Sequence, residues 1–206
     1  MKRYRELFAI ANVWVLVLAS FPARVSYGMV ALAIFFKTEQ TTGSVAVAGL
    51  AIGINSLAGA ATAGLRGSLM DRFGQKWPLR IFVPGYASMM LILNTMQDKN
   101  AILVAAFIMG ITAPPINLSV RPLWKMVVPE DCLRTAYAVD TSVMSTAGVI
   151  GPVVATSLAL SSHPGSALNV AAAFMAIGGG ALALTHISRD WIPEKKDANH
   201  ISLWRN

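Results

Sequence analysis

Apolar stretches of about twenty residues recur along nearly the whole chain, separated by short junctions rich in charge, glycine or proline. A helix rising about 1.5 Å per residue needs roughly 20 residues to cross a hydrocarbon core, so each stretch has the length of one crossing. Inside lipid every backbone N–H and C=O must be satisfied within the protein, which leaves helices and closed barrels as the spanning solutions. Barrel strands alternate apolar and polar residues, whereas "ANVWVLVLA" and "AILVAAFIMGI" do not. With 55% hydrophobic and only 13% charged residues, the chain also lacks the polar surface to coat a water-soluble fold. The reading is an all-α, polytopic membrane protein whose first partner is the lipid bilayer.

Six spans are expected, at about residues 7–36, 44–65, 77–96, 101–128, 134–160 and 167–187. They form one membrane domain over 1–187, followed by a tail over 188–206 in which Trp191, Ile192, Leu203 and Trp204 sit among charges, as in an interfacial segment or a frayed polar terminus. Lys and Arg are unevenly placed: three precede the first span, four gather where spans two and three join, two lie between spans four and five, and four are in the tail. The opposite junctions hold only Lys37 and Lys99, so the positive-inside rule puts both termini in the cytoplasm of a cell-membrane protein. "MKRYR" before "LFAIANVWVLVLASFPA" also has the form of a cleaved leader, but apolar sequence resumes at once in "YGMVALAIFF", as one long interrupted helix would have it. The net charge of +7 follows this topological pattern rather than one wet face, which argues against nucleic acid as a partner.

Between spans two and three lies "GSLMDRFGQK". Its Gly67, Leu69, Asp71, Arg72, Gly74 and Lys76 reproduce the G-x-L-x-D-R-x-G-x-[RK] pattern that major facilitator superfamily transporters carry at this place. Over about residues 5–190 the chain resembles the amino-terminal half of that family; Gln75 departs from the pattern, standing where the family usually has a base. The loop is expected to use its glycines for tight turns and its Asp71 and Arg72 at the rim of a moving interface. In span five, Gly148, Gly151 and Pro152 resemble a partial G-x-x-x-G-P-x-x-G-G element, with Ala155 and Thr156 in place of the last two glycines, on a helix that is thin and kinkable or simply well packed.

The resemblance implies two inverted three-span repeats, solute movement by alternating access, drug or metabolite efflux coupled to protons, and no cofactor. Because the pathway of such transporters lies between two six-span halves, it also implies a second six-span half or a homodimer. The alternative is a truncated or non-transporting membrane protein that retains the half fold.

Polar residues inside spans are the remaining signals, since charge facing lipid is costly. Arg24, two residues after Pro22, is read either as part of a substrate cavity or as a structural arginine satisfied by carbonyls freed at the proline. Asp140 is either a proton carrier or an interfacial acid near a helix start. Asn55 and Asn117 orient substrate or bond a neighbouring helix. Arg121, close to the cytoplasmic boundary, is a gate candidate paired with Asp71, or a snorkelling side chain. Pro84, Pro114 and Pro115 are read as kinks.

Cys132 is the single cysteine, and His163, His186 and His200 share no junction, so neither a multi-cysteine metal site nor an enzyme's nucleophile–base set is legible. A thiol introduced in the loop between spans two and three is expected to react with an impermeant maleimide only from the cytoplasmic side; labelling in intact cells would reverse the topology.

Overall fold

The computed structural model describes residues 2–161, 163 and 165–191. Among these residues the regular elements are all helices: α1 (Lys2–Phe8), α2 (Ala11–Thr42), α3 (Val45–Phe73), α4 (Lys76–Thr95), α5 (Lys99–Thr112), α6 (Ile116–Val127), α7 (Glu130–Ser161), α8 (Ser166–Leu184) and α9 (His186–Asp190). Among the described residues five spans are long and apolar enough to cross a membrane, namely α2, α3, α5 with α6, α7 and α8. Helix α4 matches the third expected span at 20 residues, but Lys76, Arg80, Pro78 and Pro84 make it less apolar than the rest. The interfacial reading of Ile192, Leu203 and Trp204 lies outside the described residues, while Trp191 is partly buried against the core.

Local chemistry sets the ends. Ser44 caps α3 by accepting from the Val47 N–H at 3.3 Å, and Asp98 caps α5 by accepting from the Ala101 N–H at 2.9 Å. Glu130 and Asp131 open α7 in its first turn, where carboxylates complement the helix dipole.

Four junctions depart from expectation. The first span breaks at Ala9–Ile10, where Ile10 is extended, and not at Pro22, which α2 carries without interruption. The stretch from Gly67 to Phe73 is not a loop: α3 continues through it, because good helix formers such as Leu69 and Met70 outweigh one glycine. The turn is confined to Gly74 and Gln75, and Gly74 supplies it with φ of 72°, a left-handed value that a side chain would resist. Span four is broken rather than kinked at Ala113–Pro115, since consecutive prolines remove two helical donors. Helix α7 starts four residues before the expected 134, which carries Asp140 a full turn deeper.

Helix α2 is the axis of the bundle, packed chiefly against α8 and α7; α4 also leans on α8, and α3 lies along α5. Lipid is as apolar as leucine, so helices gain little by merely hiding side chains from it and associate through close packing and hydrogen bonds. Glycine permits that approach at Gly28 and Gly151, where a Cβ on Gly151 would stand 2.6 Å from the Gly28 Cα. It does so again at Gly110, where a Cβ would stand 2.3 Å from the Asn55 carbonyl oxygen on α3. Gly148, by contrast, has open space beside it on the exposed side of α7.

Gly151→Ala is expected to cost about 1–3 kcal/mol by overpacking the crossing. Gly148→Ala is expected to be neutral or to stabilise by up to about 1 kcal/mol. Denaturant titration of the protein in mixed micelles measures both.

Candidate functional site

Ser20, Arg24 and Tyr27 follow one another at i, i+4 and i+7 on α2, which places them along one face. Arg24 lies 13 residues, about 20 Å, from the start of α2, and Asp140 about 15 Å into α7. The two meet. Arg24 Nη2 donates to Asp140 Oδ1 at 2.6 Å and Nη1 to the Asp140 carbonyl oxygen at 3.3 Å, with side-chain exposures of 3% and 6%. An ion pair this buried survives because each charge has the other; neither would be tolerated alone. The pairing is incomplete, because Arg24 Nε is buried without an acceptor. Pro22 is not its partner, so the guanidinium is satisfied by a carboxylate across a helix interface rather than by carbonyls at a kink.

A second arginine was missed in the sequence. Arg66 stands one residue beyond the expected end of span two and counted there as a topological charge, yet it is 8% exposed. Side chains on a helix lean toward its N-terminus, and Arg66 reaches back to the Gly59 and Thr62 carbonyls of α3 and across to Ala113 at the α5–α6 break. The adjacent Pro114 carbonyl accepts from Tyr27 Oη, and the Tyr27 ring lies 5.8 Å from that of Tyr86 on α4. The signal was present in "APP", because carbonyls left open at a double proline inside a membrane demand donors from elsewhere in the protein.

Tyr27, Ala63, Arg66, Ala113–Pro115 and Ile116–Leu118 line an open cavity of about 210 Å³ at this break. Asn117 borders it and is exposed, whereas Asn55 donates from Nδ2 to the Ala106 carbonyl at 3.0 Å and ties α3 to α5. Arg24 and Asp140 are not among its lining residues, so the four residues grouped from the sequence fall into three places: the ion pair, the α3–α5 tie and the cavity rim.

The end of the bundle at the α3–α4 turn gathers the loop motif. Leu69, Asp71 and Arg72 are exposed on the last turns of α3, and Lys76 begins α4 with its ammonium 5.6 Å from the Trp77 ring. Arg121 is exposed on α6; its helix lies beside the end of α3, since Ser119 Oγ is 3.6 Å from Met70 Sδ. Gln75 is fully buried. It donates from Nε2 to the Ser119 carbonyl at 2.9 Å and accepts from Ser188 Oγ at 3.4 Å, joining the turn to α6 and α9. The thiol probe for this junction therefore belongs at the exposed Ser68 and not at the buried Gln75, and the native Cys132 is buried.

Long apolar helices that meet through glycine and hold paired and bonded arginines in their interior define the class as a polytopic, helical membrane protein. The Major Facilitator Superfamily model matches residues 16–205, and the chain belongs to that family of membrane transporters. A search of curated proteins finds no matching relative. Among the described residues no group of three or more His, Cys, Asp or Glu is placed to hold a metal ion.

Replacing either Arg24 or Asp140 by alanine is expected to cost about 3–5 kcal/mol by stranding the other charge, whereas the double replacement Arg24→Met with Asp140→Leu costs little or nothing. Unfolding of each variant in micelles reads the difference, and equal losses in single and double variants would count against a paired role.

Proposed function

We propose that this chain moves a small solute across the cell membrane by alternating access, as a six-span unit with both termini cytoplasmic that works against a second six-span unit, and that protons drive it through the Arg24–Asp140 pair. The observation that carries the reading is the pair itself: a carboxylate deep in a membrane helix of a transporter family, held by a charge on a different helix. Intramembrane charges of this kind mark ion pathways more often than they mark stability.

The mechanism follows from the incomplete bonding. While Asp140 is ionised, the pair holds α2 against α7. A proton on Asp140 removes most of the attraction and leaves Arg24 as a buried cation with an orphaned Nε, a state that an arrangement admitting water to Arg24 relieves. Protonation and helix rearrangement then favour each other, as coupling to a gradient requires.

Two packing relations support inverted repeats, with α4 taken as the sixth crossing. If α2, α3 and α4 correspond to α5–α6, α7 and α8, then the α2–α7 contact corresponds to the α5–α3 contact. Both pairs cross at glycine, Gly28 with Gly151 and Gly110 with Gly59 and Asn55. The second unit has a natural seat on the outward apolar faces of α3 and α7, which carry Leu50, Leu57 and Leu65 and Val149, Val153 and Leu160.

Inside-out vesicles holding the protein are expected to show solute flux driven by a pH gradient, and Asp140→Asn to abolish that dependence while leaving solute exchange at equal pH. A strictly monomeric chain in lipid nanodiscs, with no gradient-dependent flux, would remove the reading.

A further inference from the structure

The cavity at the α5–α6 break has an unusual balance. One wall is a buried guanidinium, none of the nine lining residues is acidic, and most of the remainder is apolar: Ala63, Pro114, Pro115, Ile116 and Leu118. The Arg66 guanidinium has five N–H donors, of which three are directed to the Thr62, Ala113 and Gly59 carbonyls. Two remain. The carbonyls that hold Arg66 are neutral dipoles, so they fix its position without cancelling its charge.

The opposite wall adds donors of the same kind. Helix α6 opens at Pro115, which offers no side-chain cap, and its first-turn residues Asn117 and Leu118 border the space. A helix leaves its first amides without intrahelical partners and concentrates partial positive charge there. The Asn117 carboxamide supplies a further polar group at the same rim.

We infer that this cavity binds a small organic anion, a carboxylate whose head meets the spare donors of Arg66 and the start of α6 and whose apolar body lies against the prolines and Leu118. The site deepens the transporter reading by naming its solute class, and it rests on that reading for its role in transport though not for binding. The cleft is open on the side of the exposed Asn117 and Leu118, so its volume of about 210 Å³ admits a small anion without enclosing it. Dicarboxylates fit poorly, because the apolar wall offers no partner for a second charge. Arg66 is the binding residue, and Tyr27 is a positioning residue that ties the Pro114 carbonyl to α2 at the cavity wall.

Benzoate, with nine non-hydrogen atoms, is a suitable probe, and benzamide is its neutral counterpart. Isothermal titration of the purified full chain in a neutral detergent is expected to detect benzoate with at least tenfold preference over benzamide. Arg66→Gln, which keeps donors for the carbonyls but loses the charge, is expected to weaken benzoate at least tenfold. Since that change also touches the α5–α6 break, Ala63→Leu provides a second test: it fills the cavity from α3 without altering Arg66 and should likewise weaken benzoate at least tenfold.

Unchanged benzoate affinity in a folded Ala63→Leu protein would overturn the site, as would equal binding of benzamide. Stabilisation by phosphatidylglycerol that depends on Arg66, with none by benzoate, would overturn it in favour of a lipid phosphate. Because binding is measured without a gradient, loss of the transporter reading would leave a positive titration standing, and gradient-driven flux of other solutes would not rescue a negative one.

Discussion

A charge inside a bilayer has no water to fall back on, and the contact between Arg24 and Asp140 is this protein's answer at its centre. The pair sits where α2, the helix that touches most of the others, meets α7. Its 2.6 Å bond fixes how far those two helices can slide, because losing it strands two ions at a cost of several kcal/mol. The glycines at 28 and 151 bring the backbones close, and Tyr27 one turn further along α2 reaches the Pro114 carbonyl.

The same rule explains the α5–α6 break. A double proline in a membrane helix removes donors and leaves carbonyls facing a medium that cannot bond them. Arg66 supplies a donor to the Ala113 carbonyl and Tyr27 adds one to the Pro114 carbonyl, which also accepts from the Ile116 N–H, so an interruption that would weaken an isolated helix becomes a junction of three. An interrupted helix beside a buried cation also creates space, and the cavity there is a consequence of the repair. The ion pair and the cavity are separate places in the bundle, and both include side chains from α2.

Much of the fold was legible in the sequence because hydrophobic length and charge asymmetry are properties of contiguous residues. Apolar runs located the helices, five of which among the described residues are long and apolar enough to cross a membrane, and the motif Gly67 to Lys76 pointed to the family that the match over 16–205 assigns. Less legible was where helices stop. Gly67 resembled a turn and is helical, whereas Gly74 makes the turn, since only there do the neighbouring contacts of Gln75 with Ser119 and Ser188 hold the chain in place. Gln75, a departure from the family pattern, is a buried tie and not a weakened charge.

The sequence by itself determined that this chain threads lipid as helices, and it marked Arg24 and Asp140 as residues in need of a reason, because the cost of an unpaired charge in hydrocarbon depends on depth along one helix. Only the tertiary structure decided that they answer each other, that Arg66 turns inward to bond Ala113, and that Gly148 faces outward while Gly151 meets Gly28. Those outcomes depend on the rotation of one helix against another. A residue's depth is written in its position along the chain, whereas its azimuth is settled by whichever neighbour packs best.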